Sequence, residues 1–150
     1  MSRMAQVLVL ARYEDEVMEP LMRVDETRTW RGCFERIPDW FVGGWYLEFF
    51  REGQRRGVLA DLEALPWNNP ECVQVMLHDE DDDCFGLWMF HDGVLAEVSI
   101  PRTQRIHPPP PPWWDDSPRA GYLQRTDGPG AEEALSRHSP EHEQDPRLCW

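Results

Sequence analysis

The clearest pattern of hydrophobic and polar positions lies between residues 72 and 100. Apolar side chains recur there at every second position in three runs, near 72–78, 85–91 and 94–100. A period of two predicts β-strands, and the sequence HDG between the last two runs is typical of a tight hairpin turn. We therefore expect a three-stranded antiparallel meander. Its middle strand is apolar on both faces, which predicts a central strand covered on both sides.

Two further strands are expected before the meander. Residues 5–11 form an apolar run rich in Val and Leu. Residues 45–50, WYLEFF, fit a helical period and a strand period, and their aromatic content beside a Gly pair favours a strand. Helical stripes occupy two other segments, 14–28 and 58–65. Pro20 interrupts the first stripe, so that helix is expected to begin near Glu19.

The composition changes after Pro101. Residues 101–150 are rich in Pro, Gly, Ser and charge and have no periodic apolar pattern, which predicts a largely disordered tail. Residues 1–100 are predicted to form one α+β domain, an antiparallel sheet with one or two helices packed on it. The alternative boundary is near residue 125, if Trp113, Trp114 and Tyr122 pack back on the domain.

The negative charge belongs to the predicted domain and not to the tail. The formal net charge is -13, all fifteen basic residues are Arg, and residues 1–100 carry 9 Arg against 20 Asp plus Glu. Such a surface disfavours binding to nucleic acid or anionic lipid and favours a basic protein partner. The first residues contain no apolar run long enough to span a membrane, so a cytoplasmic location is expected.

Five consecutive carboxylates stand in the sequence HDEDDDCF, residues 78–85. Asp79, Asp81 and Asp83 have the spacing that opens a calcium loop, but Cys84 and Phe90 stand where that loop needs Gly and a bidentate Glu. His78 and His91 fall about 23 Å apart along the predicted strands. We therefore predict neither a metal site nor any other cofactor site.

No catalytic constellation is evident. No Ser lies in a nucleophile elbow, Cys84 stands beside carboxylates that raise a thiol pKa, and no Gly-rich phosphate loop is present. The four Cys are widely spaced, without the Cys-x-x-Cys pairs typical of zinc sites. No catalytic residues are predicted.

The size, negative charge and Trp content of the chain together resemble those of one class of proteins. The segments DWFVGGWYLEFF (39–50) and LPWNNPECVQVMLHDEDDDCFGLWMF (65–90) belong to a small, acidic, Trp-rich chain whose cations are all Arg, as in a GC-rich genome. In this it resembles the immunity proteins of bacterial polymorphic-toxin systems. The resemblance carries no residue roles. It implies stoichiometric inhibition of a cognate toxin, often a basic nuclease, by occlusion of its active site.

These observations predict an acidic binding module that neutralises or regulates a basic protein. Acidic side chains would steer the partner and Trp side chains would anchor it. The expected partner-binding residues are Asp39, Trp40, Trp45, Trp67, Asp79, Glu80, Asp81, Asp82, Asp83, Trp88 and Asp92.

Three alternatives stay open at this point. The acidic run could be only a solvated hairpin tip that protects the sheet from edge pairing. The aromatic segment 30–50 could line a pocket for a small ligand or an enzyme substrate, with Trp30, Trp40, Trp45 and Tyr46 in its wall. The polyproline run 108–112 could serve as an adaptor motif.

Overall fold

A six-stranded antiparallel sheet organises the chain, and a separate two-stranded hairpin follows it. The structure is a computed structural model and describes residues 2–38 and 40–150. The sheet strands, in chain order, are β1 Ser2–Leu10, β2 Glu35–Arg36, β3 Gly44–Arg51, β4 Gln74–Asp79, β5 Gly86–His91 and β6 Val94–Val98. Their spatial order is β2-β3-β1-β4-β5-β6. The α+β fold with an antiparallel sheet is confirmed, and so is the meander β4-β5-β6.

The helices are short. They are α1 Asp15–Met18, α2 Val58–Ala64 and α3 Ala131–Ser136. The helix expected near Glu19 is instead the single turn α1 followed by a 3₁₀ turn, Glu19–Met22, because Pro20 lacks the N–H that would continue an α-helix. No helix of the described residues is long and apolar enough to cross a membrane.

The core lies on one face of the sheet. Alternate strand residues such as Val7, Trp45, Val75 and Trp88 point to this face and are buried. Met18 of the α1 turn and Leu59 and Leu62 of α2 belong to the same buried cluster. Among the described residues, α1 and α2 therefore pack on this face, and the buried cluster contains no strand residue of the other face.

The expectation that β5 is central and covered on both sides is wrong. β5 is next to the edge strand β6, and only its Gly86 and Trp88 are buried. Leu87 and Met89 point to the other face and are half-buried among neighbouring strands. Its apolar residues on that face therefore belong to a surface and not to a second core.

The β5–β6 hairpin turns as its sequence predicts. Asp92 and Gly93 both have positive φ, 51° and 80°, as a two-residue type I′ turn requires. The outer edge of β6 is covered by side chains: Leu95 N–H donates to Glu63 Oε2 at 3.0 Å, and Arg147 Nη1 donates to the Leu95 carbonyl. These contacts block strand addition at the middle of that edge.

Residues 101–150 differ from the expected, largely disordered tail. They form the hairpin of β7 Thr103–Ile106 and β8 Tyr122–Arg125, followed by α3. The last two residues, Cys149 and Trp150, are buried in the core of the main sheet. The hairpin could not be predicted from the sequence, because the buried residues between 101 and 150 are few and scattered and show no regular hydrophobic period.

Candidate partner-binding surface

The acidic run 79–83 is used largely inside the protein. Asp79 ends β4 on its buried face and is 1% exposed. Its carboxylate binds two guanidiniums, Arg3 from β1 and Arg55 from the turn before α2. Arg55 is itself fully buried, and its guanidinium lies 4.1 Å from the ring of Trp150. Asp79 therefore organises a buried charge cluster and cannot contact a partner.

Asp82 and Asp83 hold the β7–β8 hairpin against the main sheet. Asp82 Oδ1 accepts the Leu123 N–H at 2.6 Å and Oδ2 accepts the Asp79 N–H at 2.8 Å. Asp83 Oδ2 accepts the Arg125 N–H at 2.7 Å, and Asp83 N–H donates to the Leu123 carbonyl at 2.8 Å. The acidic turn therefore binds the β7–β8 hairpin through hydrogen bonds and is not simply a solvated hairpin turn.

Burial raises the pKa of Asp82 above its ordinary value, although hydrogen bonds from Asp79 and Leu123 and the charge of Arg105 oppose that rise. The folded state therefore takes up a proton at Asp82 at a higher pH than the unfolded chain does. Stability contributed by this group is present at low pH and is lost as pH rises through the folded pKa.

We expect Asp82→Asn to remove this dependence. The wild type should gain stability relative to Asp82→Asn as pH falls from 7 toward 4, because only the wild type can relieve a buried charge by protonation. Urea unfolding of both proteins at several pH values measures the difference. A difference that stays constant with pH, or that changes in the opposite direction, would contradict the assignment.

Four of the predicted acidic residues remain exposed, and one of them is Asp83, whose carboxylate binds the β7–β8 hairpin. Glu80 and Asp81 lie on the outer side of the turn, and Asp92 lies at the tip of the β5–β6 hairpin. Asp81 is 3.4 Å from Arg3 Nη2. Asp39 lies outside the described residues. Any steering of a partner by the predicted acidic set would fall to these exposed carboxylates.

The predicted Trp anchors divide between core and surface. Trp45 and Trp88 are buried and unavailable to a partner in this structure. Trp67 is half-buried, packs against the core and donates its Nε1–H to the Leu62 carbonyl at 2.8 Å. Trp40 is 82% exposed. Trp40 is the anchor candidate that the fold presents most openly, because its loop follows β2 outside the sheet.

The aromatic segment 30–50 does not form a common pocket. Trp30 and Trp45 are buried in the core, Trp40 is exposed on a loop, and Tyr46 points to the opposite face of β3 from Trp45.

The polyproline run 108–112 is anchored at its start, where Arg119 Nη1 donates to the Pro108 carbonyl at 2.8 Å. Among residues 2–38 and 40–150, no three His, Cys, Asp or Glu side chains lie close enough to hold a metal ion.

A surface that sequence reasoning missed is the second face of the sheet, which we call the open face. One row of paired residues crosses five strands: Tyr46, Leu8, Met76, Leu87 and Val98. Adjacent strands are about 4.8 Å apart, so the row is roughly 19 Å long. A neighbouring row contains Leu10, Gln74, Met89 and Ala96. None of these side chains belongs to the buried core.

The open face is apolar at its centre and acidic toward one edge. Glu35 accepts a hydrogen bond from the Tyr46 hydroxyl at 2.7 Å, and Glu48 accepts one from Gln6 Nε2 at 2.9 Å. Within the described strands β1–β6, no Arg alternates onto this face. The alternation of Leu8, Met76 and Leu87 with buried residues was the available signal, but the sequence pattern led to a prediction for the second face only in β5, where that face was expected to be covered.

Most of the arginines are bound within the fold. Ten of them form ion pairs with carboxylates of the described residues: Arg3, Arg23, Arg28, Arg36, Arg55, Arg102, Arg105, Arg125, Arg137 and Arg147. Because each of these guanidiniums is paired with a nearby carboxylate, its positive charge acts mainly on that neighbour.

Comparison of the chain with protein-family models, with curated proteins and with solved structures found no match.

Proposed function

We propose that this protein is an acidic binding module that neutralises or regulates a basic protein partner, in the manner of a cytoplasmic immunity protein. The observation that carries the proposal is the open face of the sheet. It is a continuous apolar surface with Glu35 and Glu48 beside it and with no cation from the described strands.

The physical argument rests on two properties of this face. A contiguous apolar patch on a folded domain is typical of an interaction surface, because it loses unfavourable contact with water when it is covered. The carboxylates and the net charge of -13 favour a partner whose own apolar patch is surrounded by Arg or Lys. The same charge opposes self-association of two identical acidic faces.

Steering is assigned to the carboxylates that the fold leaves exposed. Glu80, Asp81 and Asp92 are exposed and contribute to the long-range field. Their contacts with the fold are longer than those of Asp82 and Asp83: the Met4 N–H donates to Glu80 at 3.3 Å, and Asp81 is 3.4 Å from Arg3. Charge reversal at Asp82 or Asp83 would instead release the β7–β8 hairpin, so it would confuse a loss of folding with a loss of binding.

The experiment compares capture of partners by tagged wild-type protein and by Leu87→Gln, from lysate of the source organism at about 50 and 300 mM salt. We expect one basic protein in a 1:1 ratio, weakened by salt and reduced about tenfold or more by Leu87→Gln, because an anchor contact is lost. Val24→Gln is the matched control, since Val24 is exposed on a loop away from the open face.

Two outcomes would reject the proposal. One is the absence of any basic partner at either salt concentration. The other is a basic partner that Leu87→Gln and Val24→Gln retain equally, since the open face would then not be its binding surface. Circular dichroism of both variants verifies that each one is folded.

A further inference from the structure

Two adjoining clefts lie at the end of the sheet, and Tyr13 forms a wall of both. The first has a volume of about 440 Å³ and is lined mainly by apolar side chains such as Leu10, Phe41 and Val42, with Arg12, Asn69 and Gln74 also in its wall. The second has a volume of about 470 Å³ and is lined by Asp15 and Glu16 among others. An apolar cleft therefore lies directly beside an acidic one.

The apolar cleft is continuous with the open face. Leu10 and Gln74 line the cleft and are also paired neighbours in one row of that face. Beside the cleft, Trp40 is exposed and its ring contacts Phe41 edge to face, with centroids 6.1 Å apart. A partner that covers the open face would therefore meet the cleft at the end of β1.

The segment that forms the shared wall is held rigidly by the fold. Ala11 N–H donates to the Gly43 carbonyl at 2.8 Å. The buried Glu14 carboxylate accepts the Asn69 N–H at 2.9 Å and the Asn68 Nδ2–H at 2.9 Å. Both ends of the turn around Tyr13 are thus fixed before any partner arrives, which lowers the entropy lost on binding.

Tyr13 itself is held in an unfavourable conformation and in an exposed position. Its φ is 62°, in the left-handed region that a residue other than Gly adopts at a cost of about 1 kcal/mol. Its side chain is 74% exposed. The Arg12 guanidinium lies 5.0 Å from the ring and donates to the Tyr13 hydroxyl at 2.9 Å, which orients the ring as a partition between the clefts.

The acidic cleft retains charge that the fold does not neutralise. Asp15 lies 3.0 Å from Arg36 Nη2, but Glu16 is exposed and has no salt-bridge partner among the described residues. The cleft therefore suits an added cation, and the Tyr13 ring beside it can contribute a cation–π contact.

We propose that these two clefts form one recognition site for a pair of side chains on the basic partner. A large apolar side chain enters the apolar cleft, and a neighbouring Arg or Lys enters the acidic cleft on the other side of Tyr13. This inference rests on the proposed function, because it places the anchor of the partner at the end of the open face.

The probe is a pentapeptide with blocked ends in which one Trp and one Arg are separated by one Ser and flanked by Ser. Titration into uniformly 15N-labelled full-length protein should shift the amide signals of residues 11–17 and 41–43 in two-dimensional NMR spectra. Replacing the peptide Arg with Glu, or its Trp with Ala, should abolish these shifts, because each cleft then loses its occupant.

Variants of the protein test the same site. Tyr13→Asn should weaken peptide binding about tenfold, since Asn tolerates the left-handed conformation but removes the aromatic wall. Tyr13→Phe should bind within about twofold of wild type, because the ring remains. Glu16→Arg should weaken binding about fivefold. Glu132→Arg, an equal charge change at an exposed position of α3, is the control and should have little effect.

Failure of this inference can be distinguished from failure of the proposed function. Peptide shifts that map to the open face and spare residues 11–17 would overturn the two-cleft site and leave the open-face proposal standing. The absence of peptide shifts, with a captured basic partner that still depends on Leu87, would have the same consequence. The absence of both kinds of binding would overturn both.

Discussion

Replacing Asp79 with Ala should lower the free energy of unfolding by about 3–5 kcal/mol, the cost of leaving a buried charge without its partner. The Asp79 carboxylate is 1% exposed and binds Arg3 and Arg55. After its removal, the fully buried Arg55 would retain only Glu52, at 3.8 Å, as a carboxylate partner among the residues that the structure describes. Because a small domain has about 5–15 kcal/mol of stability, the loss should be a large fraction of the total.

Urea unfolding followed by circular dichroism measures this change. Glu80→Ala is the matched control, because Glu80 is the next residue, is exposed, and should change the free energy of unfolding by no more than about 0.5 kcal/mol. If the two variants lost similar amounts of stability, Asp79 would not organise a buried cluster. The slope of the unfolding curve should stay constant, which verifies that both variants unfold from the same compact state.

A second variant separates the charge from the packing. Replacing Asp79 with Leu and Arg55 with Met together removes both buried charges. The double variant should be more stable than Asp79→Ala, since a buried ion pair exchanged for apolar side chains is often neutral in its effect. Arg3 is 18% exposed and can reach solvent or Asp81 when Asp79 is absent, so it should not be left isolated in the core.

The sheet could be predicted because its pattern is local. In β4, Val75 and Leu77 alternate with Gln74 and Met76, and this period of two reports one buried face without reference to any other part of the chain. The same reasoning placed the β5–β6 turn, where Asp92 and Gly93 supply the positive φ values. Register was less well determined. A turn formed by residues 79–83 predicts that His78 pairs with Cys84, whereas Leu77 pairs with Gly86, so the register differs by one position.

The role of the acidic run could not be predicted because it depends on distant partners. Arg3 is 76 residues from Asp79, and Leu123 is 41 residues from Asp82. A run of carboxylates has the same sequence whether it faces solvent or clasps a second hairpin. The open face was missed for a related reason, since half-buried apolar residues in β5 have the same pattern whether a layer covers them or not.

Replacing Trp150 with Ala should lower the free energy of unfolding by about 3–5 kcal/mol, as is usual for loss of a large buried aromatic side chain. Trp150 is buried in the core cluster, and its ring lies 4.1 Å from the Arg55 guanidinium. Trp113→Ala is the control, because Trp113 is exposed and its loss should have little effect. Unchanged stability of Trp150→Ala would mean that residues 101–150 are not part of the cooperative fold.

The two largest effects should not be additive, because both residues contact Arg55. Asp79→Ala removes the carboxylate that fixes the guanidinium, and Trp150→Ala removes the ring beside it. Once either contact is lost, Arg55 can shift and the second substitution removes less. We expect the double variant to lose less stability than the sum of the single losses, with a coupling of about 0.5–3 kcal/mol, as for residues that share a partner. Strict additivity in a double-mutant cycle would show that the buried charge cluster and the Trp150 contact stabilise the core independently.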